Sequence, residues 1–217
     1  MQAKSIAADP NLPHVRAFCA SITHGKPVNV SQAPAPGARP LECFENVLAK
    51  VRTDGGELVL GWAIWEWPDV YIEAEHHAVW KSPDGTLVDL TPQNEGLTGM
   101  TFLPDAAAVY TSGRQRDNIR KALLDSRLVQ DFFLACKARF KLLNFGGRAG
   151  QTGEIELSGP ALAWHDVIMK TIAVTQWMLV HGETPAAACA CRSKRPYVKC
   201  CGKIANDLAR YLGGTQH

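Results

Sequence analysis

The C-terminal segment CACRSKRPYVKCCG constrains this chain more than any other stretch, because it places four of the seven cysteines close together. They form two pairs, Cys189 with Cys191 and Cys200 with Cys201. Four thiolates in two such pairs can surround one tetrahedral zinc ion at about 2.3 Å each. We therefore predict one structural zinc ion per chain, bound by these four residues.

The alternative is that the four cysteines are free thiols that happen to lie close together. Buried free thiols seldom share so short and basic a segment, which favours the metal site. In a reducing compartment a cluster of this kind also favours metal binding over disulfides. A closed four-cysteine site leaves no open position for water, so the zinc is predicted to be structural and not catalytic.

With Ser193, Tyr197, Lys199 and Gly202 at their positions, the segment resembles the zinc-binding motif at the C-terminal tail of the SecA translocation motor. This SEC-C motif also occurs as a small appendage on many bacterial proteins. The resemblance covers residues 189–202 and implies a structural zinc ion and a docking role toward a protein partner.

The turn of the motif departs from the family pattern. Where the family usually has Gly-Ser-Gly, this chain has Arg192-Ser193-Lys194, which makes the turn bulkier and more basic. Two interpretations of the local positive charge stay open. The cations can contact an acidic protein or a nucleic-acid backbone, or they can offset the charge of roughly −2 on a zinc ion bound by four thiolates. The cations are Arg192, Lys194, Arg195, Lys199 and Lys203.

Upstream of the metal-site cysteines, local patterns predict one helix, then a group of strands, and then further helices. Strands are predicted for ELVLGWAIWEW, VYIEAEHHAVW and TLVDLTP, with SPDG as the turn between the last two and MTFLPD as a short fourth strand. The Pro-rich stretch KPVNVSQAPAPGARP is predicted to be a loop or an extended lead-in.

Helical spacing of apolar residues predicts the remaining elements. CFENVLAKV forms a helix that begins at Cys43, and residues 114–143 form two helices that break near Asp125-Ser126. ALAWHDVIMKTIAVTQWMLVHG is a long apolar helix, and KIANDLARYLGG is a short terminal helix.

Cys43 is the candidate nucleophile. A cysteine at a helix N-terminus has its thiolate stabilised by the helix dipole and by free N–H groups. The same N–H groups can stabilise an oxyanion. The alternative is a small buried apolar residue that starts a helix.

A thiol nucleophile needs a base and a group that orients the base. Pairing the strands around the SPDG turn brings His77 and Asp89 within a few positions of each other. Strand alternation places His77 on the polar face and His76 on the apolar face, although His76 stays open as an alternative base. Glu73 and Glu75 are either a paired-carboxylate site or solvated strand residues.

The order Cys43, His77, Asp89 resembles the papain-like and transglutaminase-like superfamily, which includes arylamine N-acetyltransferases. HAVWKSPDGTLVDLTP resembles the family's His and Asp strands, and the resemblance covers residues 40–105. It implies an α+β fold, in which an antiparallel sheet packs on the Cys-bearing helix. Gln32 and Asn46 are weak candidates for an oxyanion-hole side chain.

The predicted organisation has three parts: an α+β domain at 1–150, a long apolar helix at 151–184 that completes or extends the core, and the zinc knuckle with a terminal helix at 185–217. The chain has no apolar run of the roughly 20 residues needed to span a bilayer. Its N-terminus lacks the apolar core of a signal peptide. We expect a cytoplasmic protein without membrane contact.

The predicted function is a cysteine hydrolase or acyltransferase that acts on a peptide or on a small amide or thioester. Cys43 attacks, His77 is the base, and Asp89 holds the tautomer of His77. Two alternatives remain: a catalytically inactive adaptor that docks through the zinc knuckle, and a nucleic-acid-binding protein that uses the basic zinc loop.

Overall fold

The computed structural model describes residues 5–93, 97–111, 115–151 and 155–213. In chain order its strands are β1 Ile6–Ala7, β2 Val28–Gln32, β3 Glu57–Trp67, β4 Tyr71–Lys81, β5 Leu87–Asp89, β6 Gly99–Pro104 and β7 Ile119–Ala122. Its helices are α1 Pro13–Ala20, α2 Cys43–Asp54, α3 Arg127–Leu143, α4 Gly159–Val180 and α5 Cys201–Gly213.

Five strands close into a barrel in the order β3-β6-β2-β5-β4, because β4 pairs back onto β3. The β3–β4 hairpin is the longest ladder and runs from Glu57 opposite Lys81 to Trp67 opposite Tyr71. The β2–β5 pair is parallel and the other pairs of the barrel are antiparallel. The fold is thus mixed α+β, as predicted, but its sheet closes on itself.

Strand alternation separates the two faces of the barrel wall. Inside lie apolar side chains from four strands: Val30, Ala63, Trp65, Val79, Met100 and Phe102. On the outer face, α1 packs Val15 and Phe18 against Trp62 and Ile64. Helix α2 covers the neighbouring part of this face, where Val47 meets Ala78 and Leu90. The Cys-bearing helix therefore packs on the wall of a barrel.

The predictions for two segments were wrong. The stretch interpreted as a loop or lead-in contains β2, which lies between β6 and β5. Where the first of two helices was predicted, β7 pairs with β4, with Ala122 opposite Tyr71 and Ile119 opposite Ala74. The predicted start of that helix, Arg114, lies outside the described residues. The second helix is α3, and Ser126 caps it by accepting a hydrogen bond from the Leu128 N–H at 3.2 Å.

The C-terminal helices form a second layer beside the barrel. Phe132 of α3 packs with Tyr71 of β4, while Ala135 and Ala138 of α3 pack with Ile168 of α4 and Leu208 of α5. The predicted long apolar helix is α4. No helix in the described ranges is both long and apolar enough to cross a bilayer. The three-part division of the chain stays a prediction.

Candidate functional site

His77 and Asp89 meet at the point where β4 and β5 pair. The register of these strands, with Trp80 opposite Val88, sets the two side chains on one face of the barrel wall. His77 Nε2 lies 3.1 Å from Asp89 Oδ1. Both residues are buried, with exposures of 4% and 1%. The hairpin predicted from the sequence therefore brings the His77 and Asp89 side chains into contact.

Further donors hold the Asp89 carboxylate in place. The Thr91 N–H donates to Oδ1 at 3.0 Å, and Gln93 Nε2 donates to Oδ2 at 3.3 Å. Both carboxylate oxygens are therefore engaged. A carboxylate fixed in this way can hold one tautomer of an imidazole, because its remaining freedom to rotate is small.

The Cys43 side chain, at the start of α2, lies beside His77 and is close enough to affect its protonation. With Nε2 on Asp89, Nδ1 is the ring nitrogen left to exchange a proton with a thiol. Glu42 occupies the cap position of α2, and within the described ranges no side chain caps this N-terminus. The first-turn N–H groups thus stay available beside the sulfur. The structure brings the three predicted site residues together.

The protonation of His77 follows from these contacts. Burial lowers the pKa of the His77 imidazole. The interactions of the ring with Asp89 and Cys43, and the charges of both groups, have a larger opposite effect, so the pKa is raised to about 10. The imidazolium form is therefore favoured at neutral pH. An imidazolium beside a thiol stabilises the thiolate, which is the nucleophilic form of cysteine.

His76 lies on the opposite face of β4 and has a different environment. Its ring packs against Phe44 at 5.0 Å and Trp62 at 5.4 Å between ring centres. Both of its nitrogens are buried and have no hydrogen-bond partner among the described residues. Burial, with the charge of Arg116 as the next cause, lowers the pKa of His76 to about 4. Nothing in the described part of the chain orients His76 as a base.

An aromatic stack beside Cys43 was not predicted from the sequence. The ring of Tyr110 stacks on Phe44 with centres 4.0 Å apart, and its hydroxyl donates to a Glu45 carboxylate oxygen. The Phe44 ring in turn contacts the His76 ring. Tyr110 follows β6 in an irregular segment, so no periodicity marked it as a neighbour of α2.

The two candidate oxyanion side chains have structural partners. Asn46 Nδ2 donates to the Arg39 carbonyl at 2.8 Å and to Thr91 Oγ1 at 3.3 Å. Gln32 Nε2 donates to the Thr91 carbonyl at 2.9 Å. Asn46 therefore has both amide hydrogens engaged, and the first-turn N–H groups of α2 remain as candidate oxyanion donors.

The two strand glutamates each have a separate partner. Arg120 Nε donates to Glu73 Oε2 at 3.2 Å, and Asn118 donates to the same oxygen at 3.0 Å. Burial raises the pKa of Glu73 against these contacts. Trp65 Nε1 donates to Glu75 at 2.9 Å. Both carboxylates are thus partly buried and hydrogen-bonded, which is neither a solvated pair nor a pair sharing a proton.

The four C-terminal cysteines form a candidate metal centre. Their sulfur atoms all lie within 4.8 Å of one another, and the sulfurs of Cys191 and Cys200 are 3.4 Å apart. Zn–S bonds of about 2.3 Å in a tetrahedron require sulfurs about 3.8 Å apart. The donor set and spacing of Cys189, Cys191, Cys200 and Cys201 can therefore hold a metal ion.

The turn between the cysteine pairs has a backbone conformation that favours glycine. Its residues Arg192 and Lys194 have φ of 65° and 61°. Side chains with a Cβ adopt this left-handed region at a cost of roughly 1–2 kcal/mol. Between them, Ser193 Oγ lies 3.0 Å from the Cys200 sulfur. A hydrogen bond from Ser193 also lowers the pKa of the Cys191 thiol to about 6.

We expect Arg192→Gly and Lys194→Gly each to stabilise the metal-loaded protein by about 1 kcal/mol, because glycine adopts positive φ without strain. Chemical denaturation measures the change. Lys199→Gly is the matched control, since it also removes a cation from the loop but lies outside the positive-φ positions. The explanation fails if Lys199→Gly stabilises the protein as much as the other two.

The knuckle is anchored to the helical layer. Tyr197 is fully buried, and its hydroxyl donates to Asp131 Oδ2 of α3 at 2.8 Å. Arg127 Nη2 donates to the Gly202 carbonyl at 2.8 Å. A Cβ at Gly202 would lie 3.0 Å from both the ring and the carbonyl oxygen of Tyr197, so a larger residue would force the buried Tyr197 to shift. The metal loop therefore belongs to the core formed by α3 and α4.

Comparison with protein-family models, with curated proteins and with solved structures gave no match for this chain. Both resemblances described above therefore rest on the chain's own residues. What the structure establishes is a mixed α+β fold with a closed five-stranded barrel, C-terminal helices and a cluster of four cysteines able to hold a metal ion.

Proposed function

We propose that this protein is a cysteine-nucleophile hydrolase or acyltransferase that acts on amide or thioester bonds. One observation carries the proposal: the buried His77 imidazole lies 3.1 Å from the Asp89 carboxylate and beside the Cys43 thiol. Its members come from α2, β4 and β5. Catalytic triads are recognised by this kind of geometry and not by position in the sequence.

The arrangement supports a two-step acyl transfer. The Cys43 thiolate attacks the carbonyl carbon, while His77 holds the thiol proton and Asp89 holds the imidazolium. The first-turn N–H groups of α2 donate to the oxyanion of the tetrahedral intermediate. His77 then protonates the leaving amine or thiol, and the acyl group stays on the sulfur. Water, or a second amine or thiol, gives its proton to His77 and releases the acyl group.

The local fold supports a relation to papain-like and transglutaminase-like enzymes. The helix that begins with Cys43 packs on the strands that carry His77 and Asp89, which is the order and arrangement of that superfamily. Here the strands belong to a closed barrel, whereas the resemblance implied an antiparallel sheet.

We propose zinc as the metal of the cysteine cluster, in a knuckle of the SEC-C type with one ion per chain. Four thiolates suit zinc in a structural site. When bound, the ion would offset half of the thiolate charge and cross-link the two halves of the loop. Five cations on the knuckle are exposed and offer a surface for an acidic protein partner: Arg192, Lys194, Arg195, Lys199 and Lys203.

A second candidate is a catalytically inactive adaptor that docks through this knuckle. Its support is the burial of the reactive sulfur, since Cys43 is only 6% exposed. Nucleic-acid binding through the same cations would show a steep dependence on salt concentration.

Alkylation by iodoacetamide separates the enzyme from the adaptor. At near-neutral pH we expect Cys43 to react at least about tenfold faster than Cys19 or Cys136, since thiolate is the reacting form. Burial raises the pKa of each of these two thiols to about 11. Mass spectrometry of the digested, metal-loaded protein gives the three rates. Equal rates would remove the proposed triad.

A further inference from the structure

The helix α4 has two opposite faces, and both are apolar. One face is buried in the helical layer: Ile168, Thr171, Val174, Thr175 and Met178. At 100° per residue, the side chains roughly 180° away form an outer stripe of Leu162, Met169, Ala173, Trp177 and Val180. Leu162, Met169 and Trp177 of this stripe are exposed by 44%, 38% and 47%.

Such a stripe is unusual on the surface of a monomer. The outer face of a surface helix normally carries charged and polar residues. In α4, Asp166 and Lys170 are the only residues of the Asp, Glu, Lys and Arg types. Exposed apolar side chains that follow one another along a helix mark an interaction surface.

We propose that this outer stripe is the interface of a symmetric dimer, in which α4 packs antiparallel against α4 of a second copy. The spacing along the stripe fits a coiled-coil seam, in which residues follow at steps of three and four. Leu162, Met169, Ala173 and Val180 are seven, four and seven residues apart, and Asp166 lies between the first two. The stripe is thus continuous over most of the helix.

The stripe is complementary to itself. With the twofold axis midway between Met169 and Ala173, Met169 of each copy packs on Ala173 of the other. In the same register Leu162 faces Val180. Large side chains then meet small ones twice, as a twofold interface requires. A second copy presents the same side chains in the reverse order, so large residues face small ones by symmetry. A different protein would need an unrelated surface that fits these side chains.

Polar groups in the stripe are complementary in the same register. The Asp166 carboxylate has a side-chain exposure of 74%. In the antiparallel pair it lies on the same side of the seam as Trp177 of the second copy, whose indole N–H is a donor. Antiparallel packing also sets the positive end of each helix dipole beside the negative end of the other. A single helix pair is a small interface, so we expect a dissociation constant in the micromolar range.

Sedimentation of the full metal-loaded chain tests the dimer. We expect the wild-type protein to pass from monomer to dimer as its concentration rises through the micromolar range. Ala173→Glu should weaken the dimer at least about 100-fold, because each copy would bury an unpaired carboxylate. Ala163→Glu is the matched control, since Ala163 is exposed on the same helix but lies beside the stripe; this variant should dimerise like the wild type.

Circular dichroism and metal content confirm that both variants are folded. A wild-type protein that stays monomeric at high concentration would overturn the proposal, and would leave the stripe to a different protein. Equal dimerisation of Ala173→Glu and the wild type would overturn it as well.

Discussion

Replacing His77 with Gln slows the alkylation of Cys43 at pH 6.5 by about 100-fold, because an ordinary cysteine thiol is only about 1% thiolate at that pH. In the wild type, the raised pKa of His77, about 10, keeps the imidazolium beside the sulfur across the neutral range. The substituted glutamine would carry no charge, and its amide can still donate a hydrogen bond to the Asp89 carboxylate, which protects the fold.

The shape of the pH profile distinguishes charge stabilisation from a change in access. The wild-type rate should rise less steeply with pH than the His77→Gln rate across the neutral range, because the imidazolium of His77, with its pKa raised to about 10, persists there. The His77→Gln rate should climb about tenfold per pH unit until an ordinary thiol ionises near pH 8.5. If the variant is slowed by the same factor at every pH, His77 controls access to Cys43 and not its ionisation.

His76→Gln is the control for this measurement, and it also tests the alternative base. His76 is the adjacent residue, is equally buried, and is kept neutral by a pKa lowered to about 4. We expect His76→Gln to retain the shallow pH profile of the wild type. A steep profile in His76→Gln with a shallow one in His77→Gln would exchange the two assignments.

Local sequence patterns predicted the parts of the site that depend on neighbours in the chain. Three elements, β3, β4 and α2, begin and end close to their predicted limits. At these limits Gly, Pro or the SPDG turn interrupts a strong apolar pattern. The proximity of His77 and Asp89 followed from a hairpin of known turn, in which strand register is a local property.

Local sequence patterns did not predict that the sheet closes into a barrel. It depends on β2, which pairs Gln32 with Asp89 and Val28 with Phe102 across long separations in the chain. The strand β2 is short and has one buried residue, Val30. The Pro-rich residues that follow it led to the prediction of a loop for the whole stretch. Similarly, the apolar spacing around Ile119 fits a helix, but β4 offers that segment a free edge to pair with, and tertiary pairing outweighs helix propensity.

Removal of the metal should cost more stability than any single substitution in the barrel. In zinc-finger peptides the apparent binding free energy is about 10–16 kcal/mol at neutral pH, and it acts as folding free energy. In this chain, Cys189 and Cys201 lie in one buried cluster with Leu128, Met178 and Tyr197. Without an ion, this cluster would bury thiols and lose its link between the two halves of the loop. We therefore expect chelation to release the knuckle and α5 from α3 and α4.

The measurement begins with elemental analysis of protein purified under reducing conditions, which should find about one zinc ion per chain. Cys201→Ala should lose the metal and several kcal/mol of unfolding free energy, and it should change the fluorescence of Trp164, whose ring lies 4.6 Å from Tyr211 of α5. Cys136→Ala removes a free thiol from α3 and serves as the matched control, with full metal content and a smaller loss. The structural-zinc assignment fails if the purified protein contains no zinc, or if the two variants lose the same stability.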